Sequence, residues 1–399
     1  MKLTPVHEGI VVLRNLSLIV LVIFLSGCGS MADPTTWWDD QGNEIKPSEL
    51  VEISNELQVR TVWSTDVGSG SGDQHLKLVP RIEGGRVFAA DSEGKVVSLD
   101  ATTGKKLWSI DTELPLSGGP GSGSGVVVVG TRDGEVIALD DTNGEIRWKA
   151  SVSSEVLSVP AVSAGIVVVQ TNDGKLYGFD AFDGTQSWLY SRQVPVLTLR
   201  GTSSPVISGN TVFSGFAGGK LVAVELSSGL VQWELSVTAP SGRSELERMV
   251  DIDGDPLVSN GVIYVATYQG EIAAVSEYSG TVLWQRKLSS YSGLGADWRN
   301  VYVSDEKGEV WGISPDNGAA MWKQSKLLNR RLSAPAVIAG YVVVGDYDGY
   351  LHWLMHEDGK MVARTRIGGS AISAAPVVSE GMLYVFGDGG ALAALKPVL

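Results

Sequence analysis

The chain has few of the side chains that most often carry out catalysis or bind metals. Its 399 residues include one cysteine and four histidines. The single cysteine, Cys28, excludes an internal disulfide and leaves no thiol nucleophile in the body of the chain. No G-x-S-x-G motif is present, and the glycine-serine runs at 68–72 and 121–125 lack a following helix that could bind phosphate. We therefore predict no catalytic residues and no enzyme activity.

The histidines also argue against a metal site. His352 and His356 are four residues apart, but the surrounding pattern predicts a strand and a turn. That spacing brings two ligands together on a helix, not on a strand. We predict no bound metal.

Positive charge is scarce as well. Lysine and arginine number 31 against 45 aspartate and glutamate, which gives a net charge of −14. A duplex-binding surface needs a basic stripe, so nucleic acid is not expected as a partner. An acidic surface mainly keeps a large β-protein soluble.

The amino terminus carries a short apolar run. Lys2 and Arg14 precede the apolar stretch from Leu16 to Leu25, and Ser26-Gly27 lies just before Cys28. This order of charged, apolar and small residues is typical of an export signal, and Leu25-Ser26-Gly27-Cys28 resembles the bacterial lipobox. The resemblance implies removal of residues 1–27 and lipidation of Cys28, while an ordinary signal followed by a buried free cysteine is the alternative.

The export signal is the first of three parts into which the chain divides. Residues 1–27 are predicted to be the signal peptide, and residues 28–56 the lipidated cysteine and a flexible tether without sustained periodicity. Residues 57–399 are predicted to form one domain. Gly29 stands where inner-membrane retention signals carry aspartate, so we expect a lipid anchor in the outer membrane with the protein facing the periplasm. No other segment is apolar enough to cross a bilayer.

Glycine turns recur along the chain at nearly even intervals. Each lies between two short apolar runs, and such a turn between β-branched runs is typical of a β-hairpin. Successive glycines are 38 to 51 residues apart, which is the length of a β-propeller blade. The eight turns are Glu93-Gly94, Asp133-Gly134, Asp173-Gly174, Gly218-Gly219, Gln269-Gly270, Lys307-Gly308, Asp348-Gly349 and Gly389-Gly390.

A second glycine turn follows ten residues after each of the first seven, and a tryptophan usually stands four residues further on. This pattern predicts a blade of four antiparallel strands, A to D, whose tryptophan in strand D packs between neighbouring blades. At the seventh position the residue is Ala363. The six tryptophans of this kind are Trp108, Trp148, Trp188, Trp233, Trp284 and Trp322.

The last blade has sequence for only three strands. The segment at 57–68 resembles a strand D, with Trp63 at the position of the recurrent tryptophan. If this segment completes the last blade, it closes the ring and removes an open sheet edge. The predicted fold is therefore all-β: an eight-bladed β-propeller of four-stranded antiparallel blades, closed by an amino-terminal strand.

Two D-to-A connections are longer than the others. Trp188 to Pro205 takes 17 residues and Trp233 to Pro256 takes 23, where Trp148 to Pro160 takes 12. We call residues 189–204 the first insert and residues 234–255 the second insert. Because the connections belong to adjacent blades, both inserts should lie side by side on one face, and insertions on one face of a repeat protein usually mark binding.

The first insert offers apolar and cationic side chains. Leu197 and Leu199 alternate along the chain, and Arg200 follows them. Leucine and arginine of this kind can anchor a protein interface. The alternative is that both leucines fill the mouth of the propeller channel.

The second insert offers carboxylates. Ser244 and Glu247 have the spacing of a capped helical turn. Asp251, Asp253 and Asp255 are predicted to accept hydrogen bonds from a partner's lysine or arginine, or to lie in a solvated loop. A calcium loop is the less favoured alternative, since Pro256 and Val262 occupy positions where an EF-hand needs glycine and glutamate.

The repeat ALD-x-x-x-G-x-x-x-W resembles the PQQ-type propeller repeat over residues 57–397. Together with the lipobox, the WSTDVGSGSG segment, LTLRG and DIDGDP, it resembles the BamB family of lipoproteins of the outer-membrane β-barrel assembly machinery. The resemblance implies non-catalytic binding to the POTRA domains of BamA, alongside other Bam subunits, with unfolded outer-membrane proteins as a further candidate partner. It places the contact residues at Leu197, Leu199, Arg200, Asp251 and Asp253.

Two other functions share the propeller pattern. A quinoprotein dehydrogenase would need adjacent cysteines over its cofactor, which this chain lacks, so we predict no cofactor. A periplasmic sugar- or peptide-binding propeller could use aromatic residues such as Trp311, Tyr350 and Trp353 to line its channel.

Overall fold

The described residues form a ring of eight β-sheets. The computed structural model describes residues 46–72, 74, 76–244 and 246–398. The predictions for the signal peptide, Cys28 and most of the tether fall outside these residues. No helix in the described part of the chain is long and apolar enough to span a membrane. The eight-bladed all-β propeller predicted from the repeat is confirmed.

Two strands precede the first complete blade, β1 (Gln58–Asp66) and β2 (Lys77–Leu78). Blades 1 to 4, each in the order A to D, are β3 (Arg81–Glu83), β4 (Arg86–Ala90), β5 (Lys95–Asp100), β6 (Lys106–Asp111); β7 (Leu116–Gly123), β8 (Val126–Thr131), β9 (Glu135–Asp140), β10 (Ile146–Ser151); β11 (Ala161–Ser163), β12 (Ile166–Thr171), β13 (Lys175–Asp180), β14 (Gln186–Ser191); β15 (Val206–Ser208), β16 (Thr211–Phe216), β17 (Lys220–Glu225), β18 (Val231–Ser236).

Blades 5 to 7 come next in the same order, and blade 8 contributes strands A to C. These strands are β19 (Leu257–Ser259), β20 (Val262–Ala266), β21 (Glu271–Ser276), β22 (Val282–Lys287); β23 (Leu294–Ala296), β24 (Val301–Ser304), β25 (Val310–Ile313), β26 (Ala320–Gln324); β27 (Ala336–Ile338), β28 (Tyr341–Gly345), β29 (Tyr350–Met355), β30 (Met361–Arg366); β31 (Val377–Ser379), β32 (Met382–Phe386), β33 (Ala391–Val398).

The amino-terminal strand closes the ring. β1 pairs antiparallel with β33, from Gln58 opposite Val398 to Asp66 opposite Ala391, and the sheet order is β1-β33-β32-β31. β1 is therefore strand D of blade 8, as predicted. Successive A strands contact one another around the centre, including the pair from blades 8 and 1.

Strands B and C form the core because both faces of each sheet are covered by neighbouring blades. In β8 the run Val126 to Val129 is fully buried, without the alternation of a half-exposed strand. Strand D is the outer edge, and in β10 only Trp148 is buried among exposed and half-buried neighbours. A β-bulge just before each of these tryptophans, such as the one between Ile146 and Trp148, displaces the register by one residue.

The recurrent tryptophans contact the next blade in the same way at seven junctions. Trp148 Nε1 donates to the carbonyl of Ala181 at 3.0 Å, and its ring covers Gly184 in the C–D turn of the next blade. Gly184 has φ +75°, and a Cβ there would lie 2.6 Å from the indole, so both conformation and space require glycine. The same pair of contacts is made by Trp63, Trp108, Trp188, Trp233, Trp284 and Trp322.

Blade 7 has a different arrangement at this position. Elsewhere a small residue in strand C faces the tryptophan, as Gly178 faces Trp188, whereas in blade 7 the large residue Trp353 faces Ala363. The physical reason lies in blade 8, whose strands C and D come from opposite ends of the chain and have no C–D turn to accept an indole. Leu57 and Val59 from the start of the closing strand pack in this cluster instead.

Part of the predicted tether belongs to the folded unit. The compact unit begins at Pro47, and Leu50 and Ile53 pack against the core between blades 6 and 7. Backbone hydrogen bonds join Ser48 N to Leu328 O and Glu56 N to Val362 O. The prediction of a flexible tether over residues 28–56 is therefore wrong for residues 47–56, because Leu50 and Ile53 pack against the core cluster of blades 6 and 7.

Candidate functional site

Both inserts lie side by side on one face, as predicted. Strands alternate in direction, so the D–A connections and the B–C turns share a face, which we call the insert face. Asp251 of the second insert accepts a hydrogen bond from Leu199 N at 2.7 Å through Oδ2. Its Oδ1 accepts from Gly218 N in the B–C turn of blade 4 at 2.9 Å. One carboxylate thus joins the two inserts and the blade between them.

Asp251 is an interior residue. It is buried, so the expectation that its carboxylate meets a partner or lies in a solvated loop is wrong in this structure. Two backbone N–H donors already occupy its oxygens. Asp251 therefore acts by holding the first insert in place.

The tip of the first insert is exposed and apolar. Val196 is fully exposed, Leu197 is 42% exposed, and Leu199 is half-buried above Asp251. Leu197 does not fill the channel mouth, which was the alternative. Sequence reasoning missed Val196, although the apolar run from Val194 to Leu197 was a visible signal.

Arg200 extends from the same insert. Its guanidinium is half-exposed and lies 3.2 Å from Glu155 in the loop between blades 2 and 3. An exposed ion pair of this kind contributes little to stability. Arg200 can therefore exchange Glu155 for a partner's acceptor at low cost.

The second insert is held in place by buried side chains and contains a capped turn. Met249, Val250 and Ile252 are buried, and Ile252 belongs to the core cluster of blades 4 and 5. Glu247 Oε2 accepts from Arg243 N, while Glu247 N donates to Ser244 Oγ at 3.2 Å. The capped turn predicted from Ser244 and Glu247 is confirmed.

Asp253 lies in a small cleft between the inserts that Thr202, Phe216 and Asp251 also line. Its Oδ2 and the hydroxyl of Thr202 are buried without a hydrogen-bond partner among the described residues. Burial, together with the negative charge of Asp251, raises the pKa of Asp253 to about 7, and the Lys77 ammonium opposes this rise. A buried, unpaired carboxylate in a surface cleft is typical of a functional site.

A third long D–A connection reaches the same face, and sequence reasoning missed it. Because β1 is strand D of blade 8, residues 67–80 connect it to strand A of blade 1. Trp63 to Pro80 takes 17 residues, the same as Trp188 to Pro205. This interval indicates a long connection and could have been found in the sequence. We call residues 67–80 the closing loop.

The closing loop runs over the insert face to the centre of the ring. Val67 N donates to Gly390 O, and Ser92 N donates to Gly70 O, so the loop lies across the B–C turns of blades 8 and 1. β2 then adds to blade 2 by parallel pairing with β7. The Lys77 ammonium reaches from there to both inserts, at 2.9 Å from Thr202 O and 3.1 Å from Asp253 O.

The aromatic residues proposed for a ligand channel do not line one. Trp353 is fully buried, and Trp311 lies in strand C between Arg286 and Lys323. Tyr350 is half-buried beside Arg366. All three belong to strands C, whereas the A strands surround the centre, so these rings pack within and between blades.

Acidic and histidine residues in the described part of the chain do not gather into a metal site. Asp255 pairs with Lys77, and Asp251 binds backbone amides, so the three aspartates of the second insert do not converge. His352 is buried beside Asp346, while His356 binds Asp297. Among the described residues no group of histidine, cysteine or acidic side chains could hold a metal ion. His75 lies outside them.

Comparison with known proteins agrees with this architecture. The family model described as "Outer membrane protein assembly factor BamB" matches residues 56–115, 92–324 and 314–397. The BamB of Pseudomonas aeruginosa is 49% identical over 381 residues, which cover 96% of this chain and 98% of that protein.

Solved structures of similar proteins also have this fold. BamB from Moraxella catarrhalis superposes with a TM-score of 0.78 at 30% identity, covering 85% of this chain and 100% of that one. Quinohemoprotein alcohol dehydrogenase from Comamonas testosteroni has a TM-score of 0.64 at 14% identity, covering 84% of this chain and 76% of that one, which shows a shared fold alone. The chain therefore belongs to the BamB family of outer membrane protein assembly factors.

Proposed function

We propose that this protein is a non-catalytic scaffold of the outer-membrane β-barrel assembly machinery, whose insert face binds the periplasmic POTRA domains of BamA. In this role it assists the folding and insertion of outer-membrane β-barrel proteins. One observation carries the proposal: the first and second inserts converge into one patch through the Leu199–Asp251 hydrogen bond. The description of its relatives as assembly factors supports the same role.

The patch has the composition of a protein interface. Val196 and Leu197 offer apolar surface, Arg200 offers a half-exposed guanidinium, and the cleft that Asp253 lines lies between the two inserts. Apolar groups and arginine dominate the binding energy of most interfaces. Since the inserts stand on a closed ring, little conformational entropy is lost on binding.

Capture of the BamA POTRA region tests this role. Leu197→Glu and Arg200→Ala should each weaken capture by about tenfold, since hot-spot truncations cost on the order of 1–2 kcal/mol or more. Leu197 is a better choice than Leu199, because Leu199 is half-buried and its N–H binds Asp251.

Leu107→Glu is the matched control, since Leu107 is 49% exposed on β6 and lies outside both inserts. It should leave capture unchanged. Unaltered capture by both insert variants, with wild-type thermal stability, would refute the assigned interface.

We also propose that the mature protein is anchored through lipid on Cys28. Residues 28–46 could span at most about 65 Å when fully extended. Confinement to the membrane raises the effective concentration of the propeller near a membrane-embedded partner. When residues 1–27 are replaced by a signal peptide whose cleavage needs no cysteine, Cys28→Ala should release the protein into the soluble periplasmic fraction. Retention of that variant in the membrane pellet of cells depleted of BamA would contradict the lipid anchor.

The exposed outer strands favour a second interaction, with unfolded outer-membrane proteins. Ile146 and Leu189 are 46% and 48% exposed on edge strands β10 and β14. An edge strand with exposed aliphatic residues can pair with an extended peptide. A photo-crosslinker at Ile146 should therefore capture a nascent porin, whereas one at Phe182, which is 81% exposed in a turn, should not. Equal capture at both positions would exclude strand pairing.

A further inference from the structure

The side chains of β2 and of Leu76, the residue before it, face two different environments. Leu76 and Leu78 are buried in the core cluster of blades 8, 1 and 2. β2 pairs with Gly118 and Gly119, and Val79 N donates to Gly119 O at 3.0 Å. Because successive side chains of a strand point to opposite sides, Lys77 leaves this core and extends across the centre of the ring.

The Lys77 ammonium meets the carboxyl-terminal ends of both inserts. It donates to Thr202 O at 2.9 Å in the first insert, and to Asp253 O at 3.1 Å and Asp255 Oδ1 at 2.5 Å in the second. Asp255 Oδ1 also accepts from Ser204 N at 2.6 Å. Three acceptors from two separate connections therefore depend on one cation from a third.

Lys77 sits close to the residues assigned to the partner. Thr202 follows Arg200 by two residues, and Asp253 lines the cleft between the inserts. The positive charge of Lys77 also favours the ionised form of Asp253, so it lowers the pKa that burial raises. Without the ammonium, the carbonyls of Thr202 and Asp253 would lose a charged donor in a half-buried site.

We propose that Lys77 is the positioning residue of the partner-binding face, holding both inserts in one arrangement from the centre of the ring. This inference rests on the proposed function, in which those inserts bind the POTRA domains. It also links two features of the chain: the loop that follows the ring-closing strand is the same loop that orders the binding face.

Lys77→Met in the full chain is the test, because methionine keeps the length and apolar character of the side chain but removes the charge. We expect amide hydrogen exchange in residues 193–204 and 240–256 to rise roughly tenfold, as local opening becomes easier. Capture of the BamA POTRA region should fall roughly tenfold, while the core strands keep wild-type exchange. Lys77→Arg, which retains a cation, should recover part of the capture.

Arg86→Met is the matched control. Arg86 also donates to a carbonyl, that of Asp141 at 2.7 Å, and lies near its carboxylate, but on the opposite face of the ring. It should change neither insert exchange nor capture.

The outcomes separate this inference from the proposed function. Unchanged exchange of both inserts in Lys77→Met would overturn the positioning role, whatever happens to capture. Raised exchange with unchanged capture would also overturn it, provided that Arg200→Ala loses capture. If Arg200→Ala and Leu197→Glu also keep capture, the proposed interface has failed, and insert exchange alone then decides whether Lys77 orders the loops.

Discussion

The two faces of the ring differ in how much their connections vary in length. On the face opposite the inserts, every C–D turn places its glycine four residues before the tryptophan or Ala363. On the insert face, at the six junctions where a tryptophan of strand D is followed by a proline at the next strand A, the interval between them ranges from 12 to 23 residues. The same repeat thus tolerates insertion at one end of its blades and not at the other.

Packing between blades explains the difference. A C–D turn supplies both the carbonyl that accepts the indole N–H and the glycine on which the ring lies, as Ala181 and Gly184 do for Trp148. An extra residue there would displace both contacts. A D–A connection supplies neither the carbonyl nor the glycine that the indole contacts. It can therefore lengthen and carry a binding function. Four substitutions test this contrast.

Gly184→Val should have the largest effect on stability. Valine would take a φ of +75° that β-branched residues avoid, and its Cβ would lie 2.6 Å from Trp148. We expect a loss of about 4–6 kcal/mol in the free energy of unfolding. Chemical denaturation measures it.

Gly369→Val is the control for Gly184→Val on the insert face. A Cβ added to Gly369 would have no heavy atom within 4 Å, and the residue does not adopt a positive φ. It should change stability by less than about 0.5 kcal/mol. Similar losses for the two variants would remove the distinction between the faces.

Trp148→Ala should come next. It removes a buried indole, its hydrogen bond to Ala181 O and the cover over Gly184. The expected loss is about 3–5 kcal/mol, seen as a melting temperature several degrees lower. The exposed Trp298, which is 78% exposed, gives the comparison, since Trp298→Ala should leave the melting temperature within a degree or so. An unchanged melting temperature for the Trp148→Ala variant would contradict the role of Trp148 in packing between blades.

Ala363→Trp tests the one junction that lacks the recurrent tryptophan. Trp353 already fills the space opposite Ala363, so the variant should lose about 1–3 kcal/mol by overpacking. Adding Trp353→Ala should recover only part of this, because blade 8 has no C–D turn to accept the new indole. Full recovery in the double variant would show that side-chain volume alone decides the position.

Asp253→Asn should have the smallest effect and the opposite sign. The folded-state pKa of Asp253, about 7, lies above the ordinary aspartate value of 3.8. The folded protein therefore holds an extra proton between these values, and stability falls as pH rises through that window, the full penalty being present above pH 7. Asparagine removes the penalty, so the melting temperature should rise by about 1–3 °C at pH 8.

At pH 4.5 the aspartate is protonated, so the Asp253→Asn variant should have the same melting temperature as the wild type. Glu155→Gln is the control, because Glu155 pairs with the half-exposed Arg200 at the surface. It should show no gain at pH 8. An Asp253→Asn gain that is equal at both pH values would contradict a raised pKa.

Much of the fold could be predicted because its signals are local. A glycine turn between β-branched runs requires positive φ, and the interval between turns gives the blade, so strands such as β8 and β9 follow from Val126 to Asp140 alone. The closing strand was recognisable from Trp63. The packing of residues 47–56 was not, because Leu50 and Ile53 show no strand periodicity and find their places only beside β30.

The candidate site was predictable in position but not in chemistry. Interval lengths located both inserts and made Leu197, Leu199 and Arg200 candidates. The spacing of Asp251 and Asp253 gave no sign that the first would bind two backbone amides in the interior and the second would remain unpaired. Whether each carboxylate is buried depends on how the two inserts pack together, which their separate sequences do not show.

The sequence by itself determined the blade count, the closure of the ring and the face that carries the inserts, because each follows from periodic turns and strand direction. Only the tertiary structure decided which side chains of that face are free to bind. Lys77 contacts Thr202 and Asp253 from more than a hundred residues away in the chain. A contact across the centre of a ring produces no periodic pattern in the amino-acid sequence.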